Sequence, residues 1–83
     1  MKITMKRIDL KKVLHMNFLI QHCCTGNAVE FARKLDLSRS SLFNYLGYMR
    51  NDLGIDILYD KYRETYYYDG VGLYAALGFK KPF

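Results

Sequence analysis

Apolar residues recur at spacings of three and four along the first two-thirds of the chain, and the period then changes to two. Asp9 is placed to cap a first helix running to about Cys24. Leu10, Val13, Leu14 and Phe18 trace its inward stripe, with Asn17 and Gln21 at the margin and Leu19 and Ile20 widening it. "TGN" ends the helix, and Gly26 suits a left-handed stop. Asn27 starts a second helix, and Glu30 three residues later completes a capping box. Ala28, Phe31, Ala32 and Leu35 share one face of this helix, which at about two turns is too short to stand without neighbours. In "LDLS", Leu37 is expected as a buried plug and Ser38 as the next N-cap. The third helix is predicted from about Arg39 to Leu53. Leu42, Leu46, Met49 and Leu53 form its inward stripe, Tyr45 its flank and Gly54 its stop.

Beyond Gly54, "IDILYD" alternates and places Ile55, Ile57 and Tyr59 on one face. "TYYYD" alternates again, setting Tyr66 and Tyr68 opposite Thr65 and Tyr67. The charged "KYRE" between them reads as a turn, so the two runs make a hairpin with its tip near Lys61 to Arg63. In the tail, "GVGLYAALGFKKPF", a last strand over about Leu73 to Lys80 is preferred, because Gly70, Gly72 and Gly78 disfavour a helix. A short helix from Val71 to Leu77 is the competing reading. With no internal repeat or linker, the 83 residues read as one α+β domain. It comprises a basic arm over 1–8, three helices over 9–54, a hairpin over 55–69 and a tail over 70–83.

Composition narrows the class. A chain this short buries a modest core. Eight tyrosines and five phenylalanines suit a thin one, since tyrosine buries its ring and leaves its hydroxyl wet. No long apolar run predicts a membrane span, and "MKITMKRIDLKK" lacks the apolar centre of a secretory signal, so a cytoplasmic protein is expected. Cys23 and Cys24 are adjacent, which suits two reduced thiols better than a disulfide framework. His15 and His22 supply no metal-ligand spacing, and no metal or cofactor is expected. Net charge is +5, which points to an anionic partner, but its distribution is uneven. Residues 1–12 carry +4, Lys80 and Lys81 add +2, and the stretch between carries −1.

The third helix has an outward face that a core helix does not need. Arg39 reaches guanine edges or phosphate, Asn44 suits adenine, Ser40 and Ser41 suit phosphate or bases, and Phe43 suits a thymine methyl. Gly47 lets a backbone come close, and the helix start at Ser38 offers amides to an anion. At the hairpin tip, Lys61, Tyr62 and Arg63 suit phosphate or the minor groove. A solvated helix face and a solvated turn are the plain alternatives, and Asp60 and Glu64 beside the tip weigh toward the second.

The order helix, helix, tight turn, helix, hairpin is that of a winged helix-turn-helix, with the hairpin as wing. Here the stretch "NAVEFARKLDLSRSSLFNYLGYMRNDLGIDILYDKYRETYYY" resembles the amino-terminal domains of DeoR-type and WYL-type bacterial regulators and small stand-alone bacterial helix-turn-helix proteins. The resemblance covers residues 25–68 or so, about half the chain. It is most specific in "EFARKLDLSRSSL" and "LGIDILYDKYRETYYY". It implies binding of double-stranded DNA and transcription regulation. The chain departs from the pattern in three ways. Asp36 stands where the tight turn commonly carries glycine, the wing tip is mixed in charge, and no effector domain is evident.

No nucleophile elbow, phosphate loop or spaced ligand set appears, so no catalytic residue and no enzyme activity are expected. The rival reading is a protein-interaction or dimerisation module built on the same fold, favoured by the tyrosine-rich wing. A homodimer is expected on DNA. Its contact is either the edge of a tail strand around Leu73 to Phe79 or the first helix through Phe18, Leu19 and Ile20.

Overall fold

The computed structural model describes residues 8–78. Helix α1 spans Leu10–Gln21, α2 Ala28–Lys34 and α3 Arg39–Gly47. A π-helical turn, Tyr48–Asp52, continues α3. Strands β1 (Ile57–Asp60) and β2 (Thr65–Tyr68) follow, and a short helix α4 (Leu73–Ala76) closes the described chain. The strands pair antiparallel, with Ile57 opposite Tyr68 and Asp60 opposite Thr65. This is a small α+β domain whose layout is compatible with a winged helix.

The starts of α1, α2 and α3 are each fixed by a side chain that takes up an orphan amide. Asp9 Oδ1 accepts from Lys11 N, and the Tyr45 hydroxyl accepts from Asp9 N, which ties the start of α1 to α3. The Asn27 and Glu30 capping box is complete, with both bonds at 3.0 Å. Gly26 is left-handed at φ 75°, as expected, but it lies beyond the end of α1; a Cβ added there would collide with the Glu30 carboxylate, so the glycine admits the capping box.

Gly54, left-handed at φ 68°, ends the third helix as expected, whereas α1 and α2 stop without glycine. Helix α1 ends at Gln21, with Cys23 left-handed at φ 54°. Cys24 N reaches Leu19 O and Cys23 N reaches Ile20 O, the bond pair of a Schellman motif. Helix α2 closes in the same manner through Asp36 at φ 59°, with Leu37 N on Ala32 O and Asp36 N on Arg33 O. Asp36 thus takes the left-handed position that glycine would fill. An aspartate tolerates that region better than most residues do.

The core gathers Val13, Met16, Leu19 and Ile20 of α1, Phe31, Ala32 and Leu35, then Leu42, Tyr45, Leu46 and Met49, and finally Ile55, Ile57, Tyr66 and Leu73. Leu37 and Leu53, expected inside, are half-buried and pack on its border. The inward stripe of α1 is corrected. Leu10, Leu14 and Phe18 are exposed, while Val13, Met16, Asn17, Leu19 and Ile20 are buried. The reason is polar: Asn17 sits inside because Tyr68 donates its hydroxyl to Asn17 Oδ1 at 2.6 Å, while Asn17 Nδ2 donates to Gln21. A satisfied buried amide costs little, and it turns the helix away from the naive apolar stripe.

The hairpin departs from strict alternation. Thr65 and Tyr66 are both buried, while Tyr59 is exposed with its ring tilted against that of Tyr66, centroids 4.9 Å apart. Thr65 is inside because the loop between α1 and α2 lies along the outer edge of β2. Tyr66 N donates to Thr25 Oγ1 at 2.8 Å, and Thr25 N donates to Thr65 Oγ1. The tail strand over Leu73 to Lys80 is also corrected, since Leu73–Ala76 is helical. Gly72 and Gly78 flank the helix instead of interrupting it. A Cβ at Gly72 would meet the Tyr68 ring at 3.1 Å, so the glycine lets the chain turn close over β2 and bury Leu73. Residues Phe79 and Lys80, and the arm through Lys2, Lys6 and Arg7, lie outside the described residues.

Candidate nucleic-acid interface

Ser38 and Ser41 build the start of α3. Ser38 Oγ accepts from Ser41 N at 3.1 Å, and the two hydroxyls bond to each other. These hydroxyls hold the cap, and Ser41 is half-buried, so they are less free for a ligand than their sequence positions suggest. Arg39, Ser40 and Asn44 are exposed, and Phe43 is exposed to 45 %. Opposite them, Leu42, Tyr45, Leu46 and Met49 are buried. The outward face therefore stands where the period of the helix places it.

Gly47 lies in the middle of that face. A Cβ built there meets only Asn51 Nδ2, at 4.0 Å, so no packing within the domain demands a glycine. Asn51, which sequence reasoning passed over, is exposed and falls on the same stripe as Ser40, Asn44 and Gly47. The available signal was its spacing, four residues after Gly47 and seven after Asn44. Past Gly47 the backbone widens, and Leu53 N donates to Tyr48 O as in a π-helix.

The long helix is tied directly to the hairpin. Arg50 donates through Nε and Nη2 to Ile57 O at 3.1 and 2.8 Å, stapling the end of the long helix to β1. Burial raises the Tyr66 hydroxyl above its ordinary range, while the guanidinium groups of Arg50 and Arg39 pull it back. Both arginines thus lie near Tyr66 of the hairpin, and Phe43 stands one turn from Arg39 on the exposed face.

The hairpin tip is well defined. Asp60 Oδ1 accepts from Tyr62 N and Arg63 N, and Glu64 closes the turn at φ 52°. Lys61, Tyr62 and Arg63 are exposed, Tyr62 to 94 %. Asp60 is engaged by the turn.

The cations divide by use. Lys12 donates to Leu35 O at the end of α2, and Lys34 donates to Cys24 O. These two and Arg50 satisfy backbone carbonyls of the fold. Residues 8–78 hold eight basic and eight acidic side chains, so the whole net charge of +5 rests on Lys2, Lys6, Arg7, Lys80 and Lys81. Among the described residues no group of three or more histidine, cysteine or acidic side chains is placed to hold a metal ion, and no helix is long and apolar enough to cross a membrane. Compared with protein-family models, with curated proteins and with solved structures, the chain finds no match.

Proposed function

We propose that the chain is a winged helix-turn-helix domain that binds double-stranded DNA and acts in transcription regulation. Helix α3 enters the major groove, and Lys61, Tyr62 and Arg63 of the wing lie on the backbone or in the adjacent minor groove. One observation carries the reading. The exposed stripe of α3 combines Arg39, Ser40, Phe43 and Asn44 with a glycine that no internal contact requires, and the end of the same long helix is tied to the hairpin through Arg50 and Ile57. Arg39 and the wing cations supply phosphate contacts, and the basic terminal segments add the remaining positive charge. Mobility shift with random duplex DNA across a salt series tests this. Binding at low salt that weakens steeply as salt rises supports it. Absence of any shift at low salt contradicts it.

A second reading, self-association, is favoured by the exposed apolar residues of α1: Leu10, Leu14 and Phe18. Leu19 and Ile20 are core residues and are not available to a partner, and a tail-strand edge is absent where α4 forms. We propose a homodimer on DNA through α1, which would present two copies of α3 to half-sites about one helical turn apart. Light scattering of the free chain and of its complex with a palindromic duplex reads the stoichiometry. Two chains per duplex support the dimer, and a strict one-to-one complex contradicts it.

A further inference from the structure

The outward stripe of α3 is made of poor helix formers. Ser40, Asn44, Gly47 and Asn51 follow one another at spacings of four, three and four. A face that only meets water is best filled with glutamate, lysine, glutamine or alanine, which favour the helix at no cost to packing. Here two asparagines and a glycine stand instead, and none is explained from within the domain. Ser38 already caps the helix, and neither Asn44 nor Asn51 makes a side-chain hydrogen bond among the described residues. The stripe also carries no charge, so its chemistry is that of neutral donors and acceptors.

We infer that Asn44 and Asn51 are a pair of adenine readers, held about two helical turns apart, with Gly47 keeping the space between them clear. This inference deepens the DNA-binding reading and rests on it. A carboxamide presents a donor and an acceptor side by side, which matches N7 and the N6 amino group of adenine in the major groove. Seven residues of regular α-helix advance about 10 Å along the axis, and the π-helical turn over Tyr48–Asp52 makes the advance from Asn44 to Asn51 somewhat shorter. That distance is about three base-pair steps of 3.4 Å each. The partner is therefore a duplex with two A·T pairs about three steps apart on one groove face. The Asn51 amide nitrogen comes within 4.0 Å of the Cβ position at Gly47, so any longer side chain at 47 intrudes between the two carboxamides and the base edges. Phe43, at the edge of the stripe, is suited to a thymine methyl in the same site.

Site selection from a randomised duplex pool, with the full chain and its variants, tests the pair. The parent should enrich a site holding two fixed A·T pairs about three steps apart. Asn51→Ala should relax one of these positions and lower affinity for the parental site roughly ten- to a hundredfold. Asn44→Ala should relax the other by a similar factor. Gly47→Gln should weaken binding more than tenfold while the thermal midpoint holds or rises, since glutamine is the better helix former. If the parent selects a site but Asn51→Ala selects the same one with affinity within twofold, the pair is wrong and DNA binding stands. Failure of the parent to enrich any sequence, with no shift at low salt, overturns both. Enrichment of a site without two A·T pairs at that separation overturns the pair alone.

Discussion

On α3 Leu42, Tyr45, Leu46 and Met49 turn inward, and the outward face is mostly polar, with Arg39 and Phe43 beside an uncharged row of Ser40, Asn44, Gly47 and Asn51. On α1 the division is partly inverted: Leu10, Leu14 and Phe18 face out, and Asn17 is buried. The two helices share a core and differ in what their outer faces can meet. The face of α3 offers donors, acceptors and a gap at Gly47, which suits the edges of bases. The face of α1 offers aliphatic and aromatic surface, with the Phe18 ring 4.4 Å from the His22 ring, which suits another protein surface. On the reading proposed above, the two exposed faces would meet different partners, DNA at α3 and a second chain at α1.

The sharpest way to break this contrast is to strike the inner side of α3. Leu42→Ala and Leu46→Ala each remove a fully buried side chain and should cost about 2–5 kcal/mol in a chemical denaturation experiment. Unchanged stability in both would mean that α3 is rotated and that its outward stripe is misassigned. Arg39→Ala and Asn44→Ala act on the other side of the same helix. Each should weaken binding to a selected duplex by about 1–3 kcal/mol in a titration, with thermal midpoints close to the parent.

The polar anchor of α1 gives the next effect. Tyr68→Phe leaves the buried Asn17 carbonyl without its donor and should cost about 1–3 kcal/mol. Burial, with a contribution from Tyr74, raises the Tyr68 hydroxyl well above its ordinary value of 10.0. The folded state therefore holds a proton that the unfolded chain releases. Its stabilising contribution is whole below pH of about 10 and declines as pH rises beyond that. Tyr68→Phe should flatten this alkaline loss, read as the midpoint of urea unfolding between pH 9 and 11. A smaller effect is expected at the α2–α3 turn. Asp36→Gly relieves a left-handed side chain and should change stability by no more than about 1 kcal/mol, in the stabilising direction. Smallest of all for the fold is the exposed pair Leu14→Ser and Phe18→Ser, which should shift unfolding by about 0.5 kcal/mol or less. The same pair should abolish two-to-one binding on a palindromic duplex in light scattering if α1 is the dimer face.

The contrast also explains what the sequence could show. The inward stripe of α3, the caps at Asp9, Asn27 and Ser38 and the hairpin tip at Lys61 to Arg63 are local patterns. They depend on residues three or four apart and were readable directly. The orientation of α1 depends on Tyr68, 51 positions away from Asn17, and periodicity cannot carry such a pairing. The burial of Thr65 depends in the same way on Thr25, 40 positions earlier. The stops at Cys23 and Asp36 were hidden because neither residue is glycine, although each adopts the conformation that glycine favours. In the tail, Gly72 and Gly78 were counted against a helix that they in fact delimit. At the candidate site, Arg39, Ser40, Phe43 and Asn44 were legible from helical spacing. Asn51 has the same spacing, but it lies in the π-helical turn, where a regular helical period does not hold, so its contact with the space at Gly47 shows only in three dimensions.

The central claim is that the outer face of α3, and not that of α1, meets the DNA. Side-chain carboxamide and backbone amide NMR signals of the full chain, followed while a duplex is added, test it most directly. The account predicts shifts concentrated at Arg39 to Asn51 and at Lys61 to Arg63, with the carboxamides of Asn44 and Asn51 among the largest. Shifts confined to Leu10, Leu14 and Phe18, with α3 and the wing silent, would contradict it.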